Sequence, residues 1–180
     1  METVNKFSFF KAPISNIHPC RVLTLRDAYK LITGDSYKAE TLRLREISDP
    51  KQARLYKAQY FDYCTFSGVF SRRSSENLVA HSELLTIDFD HVRHLNDLYA
   101  KLLFDEYFET QLLFRSPSGD GLKWIVKCNT RVLPHGEYFH AVANYIDETY
   151  QIEIDRSGSD VARACFLCYD PAAYINPELK

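Results

Sequence analysis

The sequence has no apolar run approaching the roughly 18 residues that a membrane helix needs, and no internal repeat, low-complexity tract or Gly/Ser-rich linker. Its six glycines and seven prolines are spread thinly over 180 residues. These absences exclude a membrane-spanning helix, a solenoid and a string of flexibly joined modules. One core is the expectation, and a chain of this length can bury enough apolar surface to fold without disulfides or structural metal. The N-terminal METVNKFSFFKAP lacks a basic segment followed by a long apolar stretch and a small-residue cleavage site. A cleaved secretion signal is therefore not expected, and the chain is placed in the cytoplasm with no membrane partner. Cysteine is scarce and odd in number: Cys20, Cys64, Cys128, Cys165 and Cys168 are scattered, which argues against a disulfide framework. Cys165 and Cys168 form a C-x-x-C with no second pair at zinc-finger spacing, inside ACFLCY, which reads as a core strand. Charge of one sign is also lacking: 22 Lys and Arg stand against 24 Asp and Glu, so contact with a nucleic acid has to come from a local basic face.

What is present is a pattern that sharpens along the chain. An initial strand is expected at 7–10. Thr24 can cap a helix reaching to about Ile32, with Gly34 just past its end. Helices are expected at 39–47 and 50–59, then short β pieces at 63–66 and 68–70, and the Arg-rich SRRSS at 71–75. In LLTIDFD, Leu85, Ile87 and Phe89 alternate with Thr86, Asp88 and Asp90, the mark of a half-buried strand ending in acid. Leu95, Leu98, Tyr99, Leu102 and Leu103 recur at helical spacing. QLLFR (111–115) and LKWIVKC (122–128) read as strands joined in a hairpin by the turn-rich SPSGDG. Phe139, Val142, Ala143, Ile146 and Tyr150 predict a second amphipathic helix, and 162–169 a last strand.

The expected fold class is therefore α+β, one domain over 1–180. A mostly helical N-terminal αβ subregion (1–80) precedes a ferredoxin-like, or RRM-like, βαββαβ core (81–171). In that arrangement the helices cover one face of the sheet. The other stays open, carrying Asp88, Asp90, Arg115, Lys123 and Lys127, and the fourth strand lies beside the first.

Asp88 and Asp90, two apart on a strand, point the same way, and their hard oxygens suit Mg²⁺ or Mn²⁺ better than zinc. Alone, D-F-D is more often a solvated strand end. Asp155, in IEIDRSG, supplies a third carboxylate for the same edge, and three converging carboxylates repel unless a cation joins them. The turn RSPSGDGLK offers the hydroxyls of Ser116 and Ser118, the backbone of Gly119 and Gly121, and Lys123, a combination suited to phosphate oxygens, with Arg163 nearby. It is not a Walker A loop, since a strand and not a helix follows. Arg72, Arg73, Arg115 and Lys127 are candidates for nucleic-acid contact. His91 and His94 read as surface residues of a turn.

The series IDFD (87–90), SPSGDGLK (116–123) and EIDRSGSDVAR (153–163) resembles the three motifs of the archaeo-eukaryotic primase, or primase-polymerase, superfamily. With TFSGVFSRRS (65–74) and CFLCYDP (165–171) added, the chain is similar to the VirE-type N-terminal domains that precede helicase-like modules in bacterial mobile-element proteins. The resemblance implies a DNA-dependent nucleotidyl transferase in replication of a mobile element. Asp88, Asp90 and Asp155 would be its catalytic and metal-binding acids, and Ser116, Ser118, Gly119, Gly121, Lys123 and Arg163 its nucleotide- and phosphate-binding residues. DNA and nucleoside triphosphates would be its partners, with a helicase-like module in the same or another chain. Lys123 stands where active members have histidine. A lysine neutralises a triphosphate without reproducing imidazole geometry, so the resemblance carries nucleotide binding further than turnover. Two alternatives accompany it: a catalytically silent module of the same fold that binds nucleic acid or a protein partner, and a metal-dependent phosphodiesterase.

Overall fold

The computed structural model describes residues 5–179. The chain begins with two strands, β1 (Lys6–Phe10) and β2 (Arg21–Thr24), and three helices, α1 (Leu25–Thr33), α2 (Lys38–Glu46) and α3 (Pro50–Tyr60). Three short strands follow, β3 (Tyr63–Thr65), β4 (Gly68–Phe70) and β5 (Leu78–His81). The second half contains β6 (Leu84–Phe89), α4 (Leu95–Leu103), β7 (Thr110–Arg115), β8 (Leu122–Lys127), α5 (His135–Tyr150), β9 (Cys165–Phe166) and β10 (Tyr174–Ile175). The fold is mixed α+β.

Local chemistry sets the helix starts. Thr24 accepts a hydrogen bond from the Asp27 amide while the Asp27 carboxylate accepts from the Thr24 amide, a reciprocal cap that satisfies two donors otherwise left over at a helix start. Asp49 caps α3 ahead of Pro50, whose missing N–H costs nothing at the first helical position. These elements fall within a residue or two of the expected bounds.

Two four-stranded sheets organise the molecule, ordered β2-β1-β3-β9 and β10-β7-β8-β6, with β4 and β5 as a separate pair. Alternation along β6 and β8 sends Leu85, Ile87, Phe89, Leu122, Trp124 and Val126 into one cluster with Leu98, Leu102, Phe139, Val142 and Ile146 of α4 and α5. The opposite face, with Leu84, Leu112, Phe114 and Ile125, packs into a second cluster with Phe7, Phe9, Leu23, Ala28, Ile32 and Cys64 from the N-terminal half.

Two expectations are corrected here. The face of the second sheet opposite α4 and α5 is not open: the N-terminal half covers it, because β1 and α1 present large apolar side chains that this face buries. Nor does the segment 162–169 form a strand beside β6. Only Cys165 and Phe166 are extended, and they pair with the free edge of β3, Tyr63 opposite Phe166 and Cys64 opposite Cys165. β6, β8 and β7 are adjacent and antiparallel in the expected order, and the far edge of that sheet is taken by β10, which pairs with β7. The N-terminal part sets β1 to β5 beside its three helices, and its core is shared with the second half.

Candidate functional site

Register places Asp88 of β6 directly opposite Lys123 of β8. On the covered face their side chains meet, Lys123 Nζ 2.9 Å from Asp88 Oδ1, with about a tenth of each side chain left accessible. Arg163, from the chain leading into β9, approaches the other carboxylate oxygen at 3.7 Å. The Lys123 contact is an ion pair more than an aligned hydrogen bond, since buried Oδ1 has no hydrogen-bond partner of good geometry. Burial alone would lower the Lys123 pKa. The attraction of Asp88 and Asp90 outweighs that and holds it above the usual lysine range, so the ammonium stays charged. Lys57 of α3 lies close enough to feel the same charges. Burial, then repulsion from Lys123, holds its pKa below the ordinary value, while Asp90, Asp88 and Asp120 pull the other way. The buried Cys165 thiol beside this group is pushed well up by desolvation and by Asp88, so it is not a nucleophile at neutral pH.

The 116–121 turn closes the β7–β8 hairpin against the end of β6. Ser116 is buried, and its hydroxyl accepts from the Gly121 amide at 3.1 Å. Gly121 lies so near β6 that a Cβ there would come within 2.2 Å of the Phe89 carbonyl oxygen, and Gly119 sits at φ +86, a left-handed conformation. Arg45 of α2 clamps the turn by donating to the carbonyls of Pro117 (3.1 Å) and Ser116 (3.3 Å). Ser116, Gly119 and Gly121 therefore have roles in the turn itself, while Ser118 is exposed.

The remaining expected residues are dispersed. Asp90 is exposed just past β6. Asp155 is exposed and turned onto its own loop, where it accepts from the Ser157 hydroxyl (2.7 Å) and amide (2.9 Å). Those bonds hold its pKa below the usual carboxylate range. It reaches the cluster only indirectly, through an Arg163 that also touches the Ser157 hydroxyl at 3.4 Å. Arg115 donates to Asn96 Oδ1, and Lys127 pairs with Glu109 at 3.3 Å. Arg73 is half-buried, donating to the Tyr63 hydroxyl and the Ile14 carbonyl, whereas Arg72 is exposed. His91 and His94 are exposed, and His91 Nδ1 is 2.6 Å from Asp120.

The sequence did not single out Lys57 or Arg45, whose helices meet the turn and cluster only through tertiary packing. It also missed a grouping at the far end of β6. Among the described residues, one set of three or more His, Cys, Asp or Glu brings its ligand atoms within 4.8 Å of one another, and it is His81, Cys128 and His135, not the three acids. Burial lowers the pKa of both imidazoles, that of His135 to about 4, and raises the Cys128 thiol to about 12.

Searches of curated proteins and of solved structures find no match to the chain. A family model does match, the BT4734-like, N-terminal domain, over residues 56–175. That span runs from the end of α3 through β10, so it contains Lys57, Asp88, Lys123 and Arg163 together with His81, Cys128 and His135. Two-thirds of the sequence is matched, and the chain belongs to the BT4734-like, N-terminal domain family.

Proposed function

We propose that this domain is a nucleotidyl transferase module of the primase-polymerase type, using DNA and nucleoside triphosphates in replication of a mobile element alongside a helicase-like module. The observation that carries this reading is the charged cluster of Asp88, Lys123 and Arg163, with Lys57 beside it, held where the two halves of the molecule join. Charges withdrawn from water there are expensive to a fold that could use apolar groups instead, so their retention points to work on a charged ligand. The antiparallel β6-β8-β7 order, with α4 and α5 on one face, supports a ferredoxin-like core whose fourth strand has been drawn off to the N-terminal sheet.

Asp88 and Asp90 fit the hard-oxygen donor chemistry of Mg²⁺ or Mn²⁺, and a cation taking the buried Oδ1 of Asp88 would do so in exchange for Lys123, now 2.9 Å from it. Asp155 does not converge with them in this conformation. A bound divalent ion supplies Lewis-acid stabilisation of a phosphoryl group. The chain's own residues do the rest of the binding. Lys123, Arg163 and Lys57 present three cations to phosphate oxygens, and Arg45 fixes the turn from which Lys123 follows. A triphosphate competes with Asp88 for Lys123 and Arg163, so nucleotide arrival and release of the carboxylate are coupled.

Primer extension with Mn²⁺ and deoxynucleotides tests the reading. The wild-type chain should incorporate nucleotide, Asp88→Asn should abolish incorporation, and Arg163→Ala should weaken nucleotide binding by about tenfold, the scale of one charged hydrogen bond. A wild-type protein that incorporates nothing on primed DNA removes the transferase. A second reading, a silent binding module, is favoured by Lys123 closing on Asp88 and by Asp155 turning onto Ser157. Under it, calorimetry finds nucleotide or DNA binding with no extension, and Lys123→His restores none.

A further inference from the structure

Three side chains able to ligate a transition metal meet where β5 ends, β8 ends and α5 begins. His81 is the last residue of β5, Cys128 follows β8, and His135 opens α5. One ligand atom from each lies within 4.8 Å of the other two. The two rings already touch, His81 Nε2 being 3.0 Å from His135 Nδ1. Cys128 is buried and both histidines are half-buried.

The hydrogen bonds say which nitrogen carries which proton. The Glu83 amide donates to His81 Nδ1 at 2.9 Å, so the His81 proton sits on Nε2 and is donated to His135 Nδ1. One proton thus occupies the space between two nitrogens, with a thiol beside it. Two nitrogens on one tetrahedral zinc, each bonded at about 2.0 to 2.1 Å, stand roughly 3.3 Å apart. Replacing the proton by the metal therefore asks the rings to separate by a few tenths of an ångström and to turn until each lone pair points off the line between the nitrogens.

A second observation points the same way. Glu83 has φ +58, a left-handed conformation uncommon for a residue with a side chain. It places the Glu83 carboxylate 3.7 Å from His81 Nδ1. When Nε2 is given to a metal, Nδ1 must carry the proton and gives up its bond from the Glu83 amide, and the Glu83 carboxylate, which already accepts from the Thr130 amide and hydroxyl, is the acceptor within reach, the outer partner that metal-bound imidazoles ordinarily have.

We infer that His81, Cys128 and His135 form a binding site for a zinc-class divalent ion, with an open fourth position for water or an exogenous ligand. Two imidazoles and a thiolate select Zn²⁺ over the Mg²⁺ or Mn²⁺ suited to the acids. The site is separate from the charged cluster. Leu84, three residues past His81, pairs with Lys127, while Asp88 pairs with Lys123, so the two lie about 14 Å apart along β6 at 3.4 Å per residue. A bound ion ties the β5–β6 junction to the start of α5.

The reduced, chelator-treated protein is titrated with Zn²⁺ against a chromogenic chelator, and with Co²⁺ read by its thiolate-to-metal charge-transfer absorption. One equivalent should bind per chain with that absorption present. Cys128→Ser should remove the absorption, His135→Gln should weaken binding at least about tenfold, and so should Glu83→Gln. Asp88→Asn should bind Zn²⁺ as the wild type does. Circular dichroism of each metal-free variant separates lost ligation from lost folding. If buried positions prove intolerant, the wild-type titration decides alone. Failure to take up one equivalent, or uptake of Co²⁺ without thiolate charge transfer, overturns the site.

Discussion

Asp88 and Lys123 hold two charges largely out of water with one ion pair between them, and the consequences differ for removing one partner or both. Lys123→Ala leaves a buried carboxylate with only Arg163 at 3.7 Å, and a loss of about 3 to 5 kcal/mol is expected in denaturant unfolding. Asp88→Leu with Lys123→Met should recover most of it, because well-packed apolar groups are tolerated where an orphaned charge is not. A double mutant no better than Lys123→Ala would show that the pair is not energetically coupled. Lys57 makes the opposite case. Its folded pKa lies below the unfolded value, so the unfolded chain binds the proton more readily and the charged form opposes folding at neutral pH. Lys57→Met should raise the melting temperature at pH 7. That advantage should shrink as pH rises through the lowered pKa, where the wild-type lysine sheds its proton. At this scale the sequence was partly legible: alternation alone put Asp88 and Lys123 on like faces of their strands. It could not give their registration across two strands, nor Lys57 arriving from α3, since both are set by packing between distant segments.

Among the elements, those whose signals are local were legible and those that depend on a distant edge were not. The cap at Thr24, the Asp49-Pro50 start of α3 and the alternation in β6 and β8 each rest on a few neighbouring residues. β9 does not. ACFLCY has strand composition, yet it pairs for two residues only and with β3, because the edge of β3 and the apolar pocket for Leu167 and Cys168 lie in the other half. In the turn between β7 and β8 the small residues answer to geometry. Gly121→Ala is expected to destabilise the fold by at least about 1 kcal/mol, since its Cβ would meet the Phe89 carbonyl at 2.2 Å and the turn has to shift. The same shift should displace Lys123 from Asp88. An unchanged unfolding midpoint for Gly121→Ala would mean that the approach of the turn to β6 is looser than described.

Across the whole molecule, the two halves share an apolar core to which both contribute. What composition could not convey is that this core is made between two sheets, from residues more than a hundred positions apart. The family match begins at residue 56, yet Phe7, Phe9, Leu23, Ala28 and Ile32 complete the cluster that covers Leu84, Leu112, Phe114 and Ile125. A fragment of residues 56–175 is accordingly expected to expose that face, bind hydrophobic dyes and lack a cooperative melting transition. A sharp transition in the fragment would refute the shared core. The short pairing of β9 with β3 has a different kind of consequence. Few backbone bonds hold that strand, and the segment just before it carries Arg163 to Asp88. Hydrogen exchange at the amides of Cys165 and Leu167 should then run faster than in the middle of β8, reporting a strip that peels away while both sheets stay folded. Each such opening withdraws one cation from Asp88 and lets water in beside Lys123, so the charged cluster is latched by a strand that few backbone bonds hold.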